Sequence, residues 1–150
     1  MPNTPLLLGK GATALCRTNN VKDTDFSLVE SFFSSCGIVC VLEEEKMNAI
    51  ISVNGSSPAY IYLFAKAIVE GAMKQGIPKQ VAFELICQTL EGSAAMLRQS
   101  GASPDELIHM VSSPGGTTLK ALEKLEEGNF VSLIEDAMTA CTKRAEELGK

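Results

Sequence analysis

Polar and apolar positions change their rhythm near residue 54. Before it, short apolar runs of strand length alternate with one helical pattern; after it, every apolar series repeats at helical spacing. Met1-Pro2-Asn3-Thr4-Pro5 carries two prolines in five residues and reads as an extended loop. Gly11-Ala12-Thr13-Ala14-Leu15-Cys16 reads as a short strand. Asp23-Thr24-Asp25 offers N-cap candidates ahead of Phe26, Leu28, Val29, Phe32 and Phe33, and Gly37 is the expected helix stop. Ile38-Val39-Cys40-Val41-Leu42 is an unbroken apolar run, the signature of a strand buried on both faces of a parallel sheet. Residues 11 to 42 are therefore expected as β-α-β. Two strands do not make a stable sheet alone, so the segment reads as the last piece of an α/β domain whose beginning is missing.

The remainder is punctuated helix. Ser57-Pro58 opens a helix carrying Tyr60, Leu63, Phe64, Ala67 and Ile68 to a stop at Gly76. Pro78 opens another, with Val81, Leu85, Leu90, Ala94 and Leu97, ending at Gly101. Ser103-Pro104-Asp105-Glu106 is a capping box that starts a short helix to about Val111. After a sharp break at Ser112-Ser113-Pro114-Gly115-Gly116-Thr117-Thr118, Thr118 is placed to cap a helix with Leu119, Leu122 and Leu125, stopped by Gly128. Asn129 is the expected cap of the last helix, through Val131, Ile134, Met138, Cys141, Ala145 and Leu148. The expected fold is mainly α: a remnant at 1–54 and an all-helical domain at 55–150.

Small residues crowd the long helices, including Ala59, Ala65, Ala67, Gly71, Ala72, Gly92, Ala94 and Ala95. They suit either tight packing within one bundle or a helix-swapped dimer. The apolar stripes are wide and the helices few, so a homodimer is the expected way to cover them.

Composition narrows the chemistry. In 150 residues, 13 Lys and Arg face 18 Asp and Glu, for a net charge of -5. No basic face is available to neutralise phosphates, which argues against nucleic acid as partner. The longest apolar run, 59–69, is broken by Lys66 and falls short of the roughly 20 residues that span a bilayer. No basic-then-apolar leader opens the chain. Neither a membrane partner nor export is expected. Five widely spaced cysteines (16, 36, 40, 87, 141) and one histidine, His109, lack zinc-ligand spacing. No metal is expected, and the thiols read as small buried hydrophobes of a reducing cytoplasm. Glu43-Glu44-Glu45 reads as a solvated helix start.

One segment carries candidate chemistry. Gly115 and Gly116 free the backbone for close approach, and the helix that follows begins with amides lacking internal partners. Those amides and the helix dipole favour a carboxylate or phosphate, with Thr117 and Thr118 hydroxyls alongside. On physics alone that signal is weak, because a Gly-rich turn between two helices is usually just a connection. His109, near the loop, is a candidate site group or, more often for a lone histidine, a surface or satisfied residue. No Gly-x-Gly-x-x-Gly, P-loop or nucleophile elbow is present.

Five blocks occur in one order: Met1-Pro2-Asn3-Thr4-Pro5, Gly11-Ala12-Thr13-Ala14, Gly55-Ser56-Ser57-Pro58-Ala59-Tyr60, Ser112-Ser113-Pro114-Gly115-Gly116-Thr117-Thr118 and Leu125-Glu126-Glu127-Gly128-Asn129-Phe130. Together, over the whole chain, they strongly resemble pyrroline-5-carboxylate reductase, the last enzyme of proline biosynthesis. The resemblance implies an N-terminal Rossmann domain for NADPH or NADH, largely absent here, and a C-terminal helical dimerisation domain. It implies that 1-pyrroline-5-carboxylate is reduced to L-proline. The substrate carboxylate would rest on amides of Gly116, Thr117 and Thr118, with Thr118 hydrogen-bonding the ring nitrogen and Ser113 and Gly115 shaping the loop. Pro2 and Asn3 would line the nicotinamide end. Family sites use both subunits, and dimers often assemble into rings. Where many members have Gly-Ser-Gly-Pro, this chain has Ser56-Ser57-Pro58. Lacking the phosphate loop, the fragment alone is expected to bind no cofactor and to be inactive. The alternative is a catalytically inert oligomerisation module or a pseudo-enzyme that binds a small carboxylate.

Overall fold

The computed structural model describes residues 1–149. They form two compact units: Met1–Ile61 together with the chain from Ile134 onward, and Tyr62–Leu133.

In the first unit, a 3-10 turn at Thr4–Leu8 leads into β1 (Gly11–Leu15), helix α1 (Asp23–Ser34) and β2 (Gly37–Val41). The strands pair in parallel, Gly11 opposite Gly37 and Leu15 opposite Val41. This is the expected β-α-β. Helix α1 begins differently, however: Lys22 is its N-cap, no side chain caps it, and Asp23 and Asp25 lie inside the first turn. There they favour the positive end of the helix dipole, and Asp23 also pairs with Arg17.

Gly37 has a different task from the one expected. The helix already ends at Ser35, and Gly37 starts β2 with φ +147°. A Cβ on it would lie 2.0 Å from the Gly11 carbonyl oxygen. The two strands meet as glycine against glycine, and that approach, not helix termination, requires the residue. Nor is β2 buried on both faces. Ile38 and Val41 are about half exposed, 47% and 51%, whereas Thr13 and Ala14 of β1 are buried. Among the described residues the sheet has two strands, so β2 has a strand neighbour on one edge only.

The acidic run is a helix start, as expected: Glu44–Lys46 winds as a 3-10 turn. Helical winding then continues through α2 (Met47–Ile50) and a π-helical turn at Ile51–Gly55 into α3 (Ser57–Lys74). Ser57 therefore does not open a helix afresh; its hydroxyl donates back to the Val53 carbonyl. Helix α7 (Phe130–Leu148) contributes its later turns to this unit. They border a groove of about 720 Å³ whose walls include Leu42, Ile50, Val53 and Met138.

The second unit holds the rest of α3, α4 (Lys79–Gln99), α5 (Pro104–Met110) and α6 (Thr117–Glu127). Its core is Val69, Ala82 and Ile86, with Ala65, Ala72 and Leu90 packed around it. Alanines at three of these positions let α3 and α4 approach closely. Beyond that small core, large apolar side chains stay in solvent: Tyr62, Leu63, Leu85 and Leu97 are all more than half exposed. A Cβ added to Gly71 or Gly92 would meet nothing within 4 Å. Packing within one chain thus leaves these small positions unused.

Three helix starts are informative. Ser103 and Glu106 form the expected capping box, with Ser103 N–H donating to Glu106 Oε2 at 2.7 Å and Glu106 N–H to Ser103 Oγ at 3.3 Å. Thr118 is not a cap: α6 starts at Thr117 with Gly116 as N-cap and no side-chain cap bond. Asn129 stands at the expected N-cap position of α7, directly before Phe130. It takes a left-handed conformation, φ 54°, between α6 and α7, and its carbonyl accepts from Leu133 N–H. Asparagine tolerates that conformation.

The capping box gives the first prediction. Ser103→Ala should cost about 1 kcal/mol of α5 stability, seen as faster amide exchange at Glu106 and Leu107. The bonds from the Ser103 backbone and hydroxyl hold the Glu106 carboxyl below its ordinary range. The box therefore supports α5 fully above the ordinary glutamate pKa of about 4.3 and loses that support as pH falls through the lower folded value. An NMR titration of Glu106 with a midpoint at or above the ordinary value would contradict this.

Candidate functional site

The break between α5 and α6 is built by its own backbone. Ser112 N–H donates to the His109 carbonyl at 3.0 Å, closing α5, and Gly116 N–H donates to the Ser113 carbonyl at 2.9 Å, closing a turn over Pro114 and Gly115. Gly115 takes φ +72°. Gly116 is extended, φ -74° and ψ 164°, and hands the chain to Thr117. A Cβ on Gly116 would lie 2.6 Å from Ser113 Oγ and 2.9 Å from the Ser113 carbonyl oxygen. The first α6 amides, from Thr117 onward, have no intrahelical acceptor and no side-chain cap. Ser113, Gly115, Gly116, Thr117 and Thr118 are thus gathered around one uncapped helix end, Gly116 and Thr118 half-buried and the others exposed.

Beside the turn lies a pocket of about 440 Å³ lined by Asp105, Ile108, His109, Ser112, Pro114 and Leu119. His109 faces it from the exposed side of α5. Ser112 is buried to 9% exposure, and its hydroxyl has no partner among the described residues.

Pro2 and Asn3 belong to the first unit. Met1 pairs with Ala14 in both directions: its nitrogen donates to the Ala14 carbonyl at 2.7 Å, and Ala14 N–H donates to the Met1 carbonyl at 3.0 Å. Asn3 Oδ1 accepts from Ala12 N–H at 3.0 Å, and the Asn3 carbonyl accepts from Leu6 N–H. Pro2, exposed, is held between these two anchors.

Two residues outside the expected set bear on these places. Asn54, in the π-helical turn, is buried and donates to the carbonyls of Met1 and Ala12. Ser112 is the other. The sequence signal for Asn54 is a lone amide in the apolar stretch Ile50-Ile51-Ser52-Val53, which marks a buried polar residue without naming its partner.

The cysteines are all free, but none is buried as expected: Cys40 and Cys87 are exposed, and Cys16, Cys36 and Cys141 are half-buried. Cys16 donates to Glu44 at 2.8 Å, and that bond raises its pKa. Cys141 lies 3.2 Å from Ser56 Oγ, and burial together with the Cys141 thiol raises the Tyr60 phenol. These contacts tie α7 to the start of α3 within the first unit. Among the described residues, no group of three or more His, Cys, Asp or Glu could hold a metal, and no helix is long and apolar enough to cross a membrane.

Known proteins share this architecture. Pyrroline-5-carboxylate reductases from Corynebacterium melassecola and Escherichia coli K12 are 38% and 37% identical over 150 residues, the whole of this chain and 56% of each relative. The chain thus spans about half the length of these curated relatives. Crystallographic neighbours include Plasmodium falciparum pyrroline carboxylate reductase with NADP bound, at TM-score 0.96 and 33% identity, covering 100% of this chain and 60% of that one. A pyrroline-5-carboxylate reductase from Coxiella burnetii gives 0.95 and 39%, covering 100% and 56%. The family model for pyrroline-5-carboxylate reductase dimerisation matches residues 44–148. With that match spanning every helix from α2 to α7, the chain belongs to the pyrroline-5-carboxylate reductase dimerisation family.

Proposed function

We propose that this chain is the C-terminal part of an NAD(P)H-dependent pyrroline-5-carboxylate reductase, reducing 1-pyrroline-5-carboxylate to L-proline. The observation that carries the reading is the α6 entrance. An uncapped helix N-terminus, preceded by a glycine pair and lined by two threonine hydroxyls, suits a small carboxylate, and family membership supplies the matching substrate class. The amides of Thr117 and Thr118 hold the carboxylate; the Gly116 amide, also expected there, is instead committed to the Ser113 carbonyl and closes the turn that Ser113 and Gly115 set. The Thr118 hydroxyl hydrogen-bonds the ring nitrogen and orients the proton it gains.

The cofactor, when bound, supplies the hydride to the imine carbon. This chain's residues suit only the cofactor's reacting end. Of its β-to-α connections among the described residues, the one from β1 enters α1 with Asp23 and Asp25 in the first turn, and the one from β2 enters the 3-10 turn with Glu44 and Glu45; both carry the wrong sign for a pyrophosphate. Pro2 and Asn3, fixed against β1, line the nicotinamide end. In this reading residues 1–54 complete a Rossmann domain, and 55–150 form the dimerisation and substrate-binding domain.

The chain forms a homodimer through its helices. The exposed apolar side chains of α3 and α4, and the open space at Gly71 and Gly92, support that arrangement. Rings of dimers and a cytoplasmic location are part of the same proposal. The chain alone binds no dinucleotide and does not turn over.

The test is light scattering, L-proline calorimetry and a reductase assay on the same preparation. A dimer that binds L-proline and lacks NADPH-dependent turnover is expected. A monomer sinks the dimer, absence of L-proline binding sinks the carboxylate cradle, and turnover at an ordinary enzymatic rate sinks the claim that the chain alone is inactive.

A further inference from the structure

A buried asparagine with both amide hydrogens committed is a structural clamp. Asn54 is 9% exposed. Its Nδ2 donates to the Met1 carbonyl and to the Ala12 carbonyl, each at 2.9 Å. Both partners are pure acceptors, so the orientation of the amide is fixed by chemistry. The Met1 carbonyl then accepts twice, from Asn54 and from Ala14 N–H. The Ala12 peptide is held at both ends, its carbonyl by Asn54 and its N–H by Asn3 Oδ1. One side chain on the π-helical turn therefore ties together the N-terminal segment and β1.

The π-helical turn serves this arrangement. Ser56 N–H reaches back to the Ile51 carbonyl at 2.7 Å, a five-residue step, and Ser52 and Asn54 are the buried residues of the turn. Such turns are rare and cluster at functional sites. The Asn54 Oδ1 has no partner among the described residues, so the residue is kept for its two donors.

We propose that Asn54 is the positioning residue for the Pro2–Asn3 wall: it sets the height of that wall over β1 without touching any ligand. What the wall serves rests on the reductase reading above; the clamp itself does not. The clamp is tested in the intact chain by amide exchange, which requires neither cofactor nor turnover, so its failure is separable from failure of that reading.

Asn54→Asp keeps the shape but turns two donors into acceptors facing two carbonyls. Protection of the Ala12 and Ala14 amides should fall at least tenfold at pH 7, with α4 amides unchanged. Lowering the pH until the new carboxyl protonates restores one donor, so protection should partly return once intrinsic exchange is divided out. A merely space-filling role gives no such pH dependence. Asn54→Ser should show the loss without the pH-dependent recovery. Protection within twofold of the parent in both variants overturns the proposal, as does loss without recovery in Asn54→Asp. Should the variants misfold, the parent decides: both Asn54 carboxamide protons must be protected from exchange, and a freely exchanging carboxamide overturns the clamp.

Discussion

Gly37→Ala should cost the first unit its parallel sheet. A Cβ there would sit 2.0 Å from the Gly11 carbonyl oxygen, 2.5 Å from the Gly11 nitrogen and 2.7 Å from its carbonyl carbon. All three are backbone atoms, so no rotamer change relieves the clash. The positive φ of +147° adds a backbone penalty. Overpacking costs about 1–3 kcal/mol and an unfavourable φ about 1–3 kcal/mol, so a loss of about 2–6 kcal/mol is expected. That is a large fraction of the 5–15 kcal/mol that typically holds a domain together. Chemical denaturation should show the drop, with strand amides such as Ala14 losing protection first. Gly9→Ala is the control: it also has positive φ, but a Cβ there meets nothing within 4 Å, so only the backbone penalty applies. Equal effects of the two substitutions would show that crowding at the Gly11–Gly37 rung is not the cause.

Local signals were legible in the sequence, and long-range ones were not. The capping box at Ser103 and Glu106 is complete within four residues, and the structure forms it. The breaks at 112–116 and at Gly128-Asn129 also read correctly as breaks, because glycine, proline and asparagine act on their own backbone. Their detailed roles needed partners that sequence does not show. Gly37 looked like a helix stop because its true constraint, Gly11, is a strand away. The apolar run at residues 38–42 looked doubly buried because hydropathy reports what a strand can bury, not what is there to cover it. The π-helical turn has no periodic signature of its own, so periodicity does not single out Asn54. At the candidate site, the glycine pair and the threonines mark, from chemistry alone, a helix start suited to an anion. The roles proposed for Thr118, Pro2 and Asn3 rest on the family resemblance alone, because nothing in residue type or spacing distinguishes a threonine that meets a ring nitrogen from one that meets water.

Gly116→Ala should abolish the carboxylate cradle while leaving the helices folded. The added methyl falls 2.6 Å from Ser113 Oγ, which can rotate away, and 2.9 Å from the Ser113 carbonyl oxygen, which cannot. That carbonyl also accepts the Gly116 N–H that closes the turn. Relieving the contact opens the turn and swings the first α6 amides off a common focus. L-proline affinity should fall more than tenfold, a loss above about 1.4 kcal/mol, with little change in helical content. Gly115 separates crowding from conformation. It has φ +72° and open space around it, so Gly115→Asn, which tolerates the left-handed region, should hold L-proline within about threefold, well inside the tenfold step of 1.4 kcal/mol. Thr118→Val probes a third layer: it keeps the amides and removes the hydroxyl. It should retain most carboxylate binding, and in a complete reductase it should lower kcat by about 100-fold, the scale of a lost proton-orienting group. Calorimetry on the three variants orders the effects. If Gly116→Ala binds L-proline as tightly as the parent chain, the carboxylate does not rest on the α6 amides, and the ligand must be sought elsewhere, first in the pocket that Ser112 and His109 line.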